Sequence, residues 1–490
     1  MYKVIHLVFI FTTIFKMRVF FIFCFVIGQF AFGQQLVQTK FSKPFAIIKF
    51  LETTKGGHGT SITFKHQIDT SFLGKDIAFQ KLVSEYQSLQ LEYNYEKQQY
   101  PAGRKRTTST WDLLCVAAIS SNTSEEFLNH IIGVYPNVDY LKLKRVVTET
   151  EPFYDRFIYN KYKPAVDDKV RELQGLSPKL NDLFEKFKTF YGSSWDKSMS
   201  FNLAIYPIIG RSGQTTATPH ANCLEMGILT QEEDIFDLLS IGMHEMSHVL
   251  YEEQPLWLQQ KIDSLFTDSI TLYSKFAYHY IDEALATALG NGYAYNELAG
   301  EIDSAEWYSD FYINAYAKAI YPLVEQYVND KKQMDKAFVL KAIELFKQTF
   351  PNALYDYEPL LMTADIYFED DVAKELDDIQ FTLHNTFRIY HSNTSIPISD
   401  KISLENLKTS RETQLIVIHK NQLQNLAKLK LIFKNLASLP PNKNMIANFL
   451  DKSNRAVIIV VAEDKTKAIE GIKLLKTQKQ IDPKKLWVKF

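Results

Sequence analysis

Residues 240–253, SIGMHEMSHVLYEE, constrain this chain more than any other stretch. Apolar Ile235, Leu238, Leu239, Ile241, Met246, Val249 and Leu250 recur at helical spacing, and Pro255 closes the pattern. Thr230 with Glu233 three residues on reads as a capping box that starts the helix. On such a helix His244 and His248 stand one turn apart on one face, about 6 Å from each other, so both imidazoles reach one cation. Glu245 points to the side, where it reaches a water on that cation. Two helix histidines satisfied by ordinary hydrogen bonds give the same spacing, so a metal site requires a third ligand.

Glu252, one turn beyond His248, fails as that ligand. Eight residues of rise place it about 12 Å from His244, too far for one tetrahedral ion. The segment AYHYIDEALATALGNGYAY offers Glu283 instead. It opens a run of small residues, Ala284, Ala286, Thr287 and Ala288, ended by Gly290, which lets a second helix approach closely. A buried acid in such a run is costly unless it is paired or bound to metal. His279, one turn earlier on the same face, is the rival ligand, and Asp282 is placed to orient a ligand histidine. An exposed helix face carrying Asp282 and Glu283 is the plain alternative.

With HEMSH at 244–248 and DEALATALG at 282–290, the region from about Phe201 to Tyr327 resembles the gluzincin metallopeptidases, the group of thermolysin-like enzymes and zinc aminopeptidases. The N-terminal helices and the last hundred residues lie outside the resemblance. It implies zinc held by His244, His248 and Glu283, with Glu245 as general base in the hydrolysis of a peptide or protein substrate. It further implies a sheet edge, FNLAIYPIIG or NCLEMGIL, along which an extended peptide lies. Such enzymes supply the oxyanion donor as Tyr or His. Tyr312 and Tyr316, on one face of DFYINAYAKAIYP, are the candidates here, with Tyr293 and Tyr295 as alternatives. Three features depart from the group. The gap from His248 to Glu283 is longer than in thermolysin-like enzymes, Thr287 replaces an aspartate, and the Gly-x-Met-Glu-Asn motif is absent, CLEMG around Glu225 being no substitute. Endopeptidase and exopeptidase action therefore both stay open.

The rest of the chain sets the frame. Its 490 residues, 46% hydrophobic, are enough for more than one core. A net charge of -2 gives no reason to expect nucleic acid as a partner, but residues 391–490 carry 18 Lys+Arg against 8 Asp+Glu. That is either a solvated lysine-rich face or a patch that docks an acidic partner. Residues 1–33 read as an export signal, with Arg18, an apolar run from Val19 to Ile27, Ala31-Phe32-Gly33 as cleavage site and Met17 as an alternative start. The runs are too short to span a bilayer, and a retained anchor is the rival. The mature chain is then exported: periplasmic, envelope-associated or secreted, with no stable membrane span. Cys115 and Cys223 remain, and the sequence does not show whether they meet.

The expected fold is mainly α with a small β edge sheet: a gluzincin-like zincin catalytic core over 201–390, after an N-terminal region over 34–200. A small basic C-terminal α/β domain over 391–490 completes it. FAIIKF and SITFKH are expected as strands around the KGGHG turn, followed by long helices. Two further functions share these residues: a non-catalytic envelope or surface binding protein that keeps a zincin-like fold, and a zinc hydrolase acting on an amide other than a peptide.

Overall fold

The computed structural model describes residues 36–490 except 58, 102, 103, 105, 106, 269, 270, 370–372 and 441–443. The export segment expected at 1–33 lies outside the described residues. The protein is mainly helical, with small sheets. Its described residues divide into two compact units, the first within 36–263 and 282–338, the second within 264–281 and 339–490.

In the first unit the chain runs from strand β1 (Val37–Phe41) into helix α1 (Lys43–Lys55). This helix contains FAIIKF, expected as a strand. Its boundaries explain the difference. The Ser42 hydroxyl accepts the Phe45 N–H, Pro44 stands in the first turn, and Gly56 ends the helix in the left-handed region at φ 77°. Residues 44–51 are all buried, so the apolar run is a helix wet on no side, which periodicity cannot separate from a buried strand. SITFKH is likewise helical: Ser61 caps Ile62–Thr70 by accepting the Phe64 N–H.

Helix α2 (Thr110–Ser120) starts with a capping box between Ser109 and Asp112. The sheet is completed by β2 (Phe201–Ile208), β3 (Ala217–His220) and β4 (Cys223–Leu229), in the order β1-β2-β4-β3. The β1, β2 and β4 strands are parallel; β3 runs antiparallel to β4. Two prolines fit this order. Pro219 lies on an edge strand, and Pro207 lies past Ile205, the last β2 residue paired with β1, so neither removes a needed ladder bond. The strands expected to bear substrate, FNLAIYPIIG and NCLEMGIL, are therefore interior. The edge beside them is ATPH, which lies in a segment expected as a loop. Because β1 pairs with β2, the expected N-terminal and catalytic regions share one sheet and do not separate at residue 200.

The second unit holds β5 (Thr363–Phe368), β6 (His391–Ser395), β7 (Thr413–Ile418), β8 (Met445–Leu450), β9 (Ala456–Val461) and β10 (Trp487–Lys489) in the order β10-β8-β9-β7-β5-β6. The α/β character matches expectation, but the unit begins before residue 391, because β5 pairs with both β6 and β7. Where β7 leads into the helix Gln422–Ile432, the backbone N–H groups of His419, Lys420 and Asn421 all donate to the buried Glu369 carboxylate, at 2.6, 2.6 and 2.8 Å. An anion-binding turn at a strand end is thus filled by the protein's own side chain. Among the described residues no helix is long and apolar enough to cross a membrane.

Candidate metal centre

The helix carrying HEMSH, α3 (Ile235–Glu252), is capped by Asp234, whose side chain accepts the Asp237 N–H; the expected start at Thr230 lies in the preceding turn. Its buried face, including Leu239, Met243, Met246 and Leu250, packs on β3 and β4. Gly242 makes this approach possible, since a Cβ there would lie 3.3 Å from the Met226 sulfur. Arg104 binds the far end of α3. Its guanidinium donates to the Tyr251 carbonyl at 3.1 Å and to Gln254 Oε1 at 2.7 Å, and lies 3.4 Å from the Tyr251 ring centroid. A cation at the C-terminus satisfies last-turn carbonyls and opposes the helix dipole.

Helix α4 (Leu272–Thr287) crosses from the second unit into the first, bringing Asp282 and Glu283 with it, and continues as a π-helical turn, Ala288–Ala294. This turn packs against α3 at His244. A Cβ on Gly290 would lie 2.6 Å from both the backbone nitrogen and the Cβ of His244, so only glycine fits. The run of small residues therefore has the role expected of it, bringing the two segments to backbone contact.

The result is a triangle of donor atoms. His244 Nε2 and His248 Nε2 are 3.1 Å apart, and each lies 3.7 Å from Glu283 Oε2. An ion with tetrahedral ligands at about 2.0–2.2 Å requires donor atoms about 3.3–3.6 Å apart, and the three edges lie within a few tenths of an ångström of that spacing, so the group could hold one metal ion. On the other side of the ring, His248 Nδ1 lies 2.9 Å from Asp282 Oδ1. A carboxylate accepts, so Nδ1 carries a hydrogen and Nε2 is the ring nitrogen that faces the triangle. Consecutive residues of α4 thus orient and complete the same site.

Electrostatics point the same way. Burial lowers the basicity of His248, but the adjacent Asp282 and Glu283 charges outweigh it and push the imidazole up to about 10. Without a cation between them, these carboxylates hold a proton on the ring; a metal ion supplies that positive charge instead. Burial also raises Glu245, with the two histidines pulling it down and Glu283 and Asp282 pushing it up. A carboxylate with raised basicity suits a proton acceptor.

His279 is not in the triangle. It belongs to the second unit, stacked on Tyr390 at 6.2 Å, where burial and then Lys275 push it down to about 3. Of the tyrosines, Tyr316 is fully buried and Tyr312 packs edge-on against Phe311. Tyr293 donates to Asn329 at 2.8 Å, and Tyr295 senses the carboxylates of Asp234 and Asp303. The ring that lies against His244 is Tyr308, stacked at 6.0 Å. Trp307 anchors its loop, donating its indole N–H to the Asp303 carbonyl at 2.9 Å and packing on Tyr321 over Gly292. No local pattern marks Tyr308 in a chain with 27 tyrosines. Compared with known protein families, curated proteins and solved structures, the chain matches none.

Proposed function

We propose that the protein is a zinc-dependent peptidase whose metal is held by His244, His248 and Glu283. The observation that carries this reading is the donor triangle of 3.1, 3.7 and 3.7 Å, with Asp282 orienting one ligand and an ionisable Glu245 beside it. A structural site has no use for a base next to its ligands. Zinc bound there would act as a Lewis acid and bring the pKa of a water towards about 7. Glu245 takes the proton of the attacking water on a carboxylate oxygen and returns it to the leaving amine. Tyr308, whose ring stacks on His244, is the oxyanion donor in this reading. β3 is a terminal strand of its sheet and packs against α3, so a substrate peptide pairing with it would lie beside that helix.

The test combines metal content with digestion of a peptide library. Glu283→Ala is expected to lose one equivalent of zinc and His279→Ala none. Glu245→Gln is expected to keep the zinc and lose cleavage by at least about 100-fold, the usual contribution of general base catalysis. Cleavage that persists in Glu245→Gln, or a zinc content that Glu283→Ala leaves unchanged, overturns the assignment. Zinc retained with no cleavage of any peptide would leave a binding protein.

A further inference from the structure

A second set of metal-ligating side chains lies inside the first unit, made of residues the hydrolytic reading leaves unused. Donor atoms of Cys115, His220 and Glu225 all lie within 4.8 Å of one another. Their exposures are 0%, 2% and 1%, so no water competes for them. Four elements build the group. Helix α2 brings Cys115 and, one turn earlier, Asp112. The β3–β4 hairpin brings His220, turned by Ala221 at φ 50°, and Glu225 projects from β4. Lys49 from α1, 3% exposed, closes it.

The bonding pattern repeats that of the first centre. His220 Nδ1 lies 2.8 Å from Asp112 Oδ1, as His248 Nδ1 lies 2.9 Å from Asp282. His220 Nε2 then faces Glu225 Oε2 at 3.4 Å. The other oxygen of Glu225 is held by the Lys49 ammonium, which also donates to the Gly59 carbonyl at 2.9 Å. What remains pointing inward is one sulfur, one imidazole nitrogen and one carboxylate oxygen, a donor set suited to zinc. Asp112 is in the position of the carboxylate that orients a ligand histidine.

We propose that Cys115, His220 and Glu225 hold a second divalent ion, a structural zinc that ties α2 and the β3–β4 hairpin to the sheet. It is independent of the hydrolytic centre and takes no part in the chemistry, since its ligands are sealed from substrate. The ion enters as the unit folds.

The two centres differ in one element: only the second offers sulfur. The full chain is produced with Co2+ as the sole supplied divalent metal, and metal content and the near-ultraviolet spectrum are measured. The expected result is two ions per chain and a thiolate-to-cobalt charge-transfer band. His248→Ala is expected to lose one ion and keep the band. Cys115→Ser is expected to lose the band and one ion, keeping the other. Should Cys115→Ser fail to fold, wild type and His248→Ala still decide. No band in the wild type, or a band that survives Cys115→Ser, overturns the proposal. Failure of the hydrolytic reading shows separately, as retention of all metal in His248→Ala.

Discussion

At the scale of single residues, a proton and the proposed zinc would compete for His248. The raised His248 means that the metal-free protein carries stability from its Asp282 pair that is fully present below about 6.5 and is lost as pH rises through about 10. Zinc must displace that proton, so its affinity is expected to rise about tenfold per pH unit over the neutral range and to level off near 10. Competition with a chelator across pH measures this; a flat profile would mean that no ligand proton is displaced. Lys49 makes a second prediction. Lys49→Met removes the ammonium from the buried Glu225 carboxylate, leaving it His220 alone, and is expected to cost about 3–5 kcal/mol in denaturant unfolding with chelator present. Adding Glu225→Gln should recover part of the loss; a double variant no better than the single would mean that the pair is not coupled. The His244, Glu245 and His248 positions are legible in the sequence because a helix turns at a fixed angle. Lys49 and His220 are not, because 171 positions separate them.

At the scale of elements, the contact between α3 and the π-helical turn after α4 sets the triangle. Gly290→Ala inserts a methyl against the His244 backbone and is expected to destabilise the protein by about 1–3 kcal/mol and to weaken zinc binding. Gly175→Ala, at a helix end where a Cβ meets nothing within 4 Å, is the control and should be near neutral. Thermal unfolding and zinc titration of both variants check this; equal behaviour would show that the contact can relax. Small residues around Glu283 signalled close approach correctly. They could not signal the π-helical turn, whose wide backbone follows from what it packs against. The FAIIKF and SITFKH segments teach the converse: the caps Ser42 and Ser61 stand in plain view, but FAIIKF, an apolar run buried on all sides, has no period to read.

At the scale of the whole molecule, two units with separate cores should respond separately to metal. Zinc is expected to slow hydrogen exchange at residues 244–248 and 283–294 and to leave the strands at 413–418 and 456–461 unchanged. In Glu283→Ala the effect at 244–248 should vanish. Uniform protection in both units would show that they are energetically one body. The placing of residues 264–281 in the second unit and 282–338 in the first is a division that no linker composition announces.

What the sequence determined alone is whatever depends on short range. That includes the amphipathic helix with His244 and His248 on one face, the small-residue run carrying Glu283, and the buried strands of the C-terminal half. These depend on helical pitch, side-chain size and apolar periodicity, all local quantities. Only the tertiary structure decided that Glu283 and not His279 completes the triangle, that Tyr308 lies against His244, and that ATPH is an edge of the sheet. It alone brought Cys115, His220 and Glu225 together. Such choices are set by which surfaces pack against which, and packing joins residues through space with no trace in their spacing along the chain.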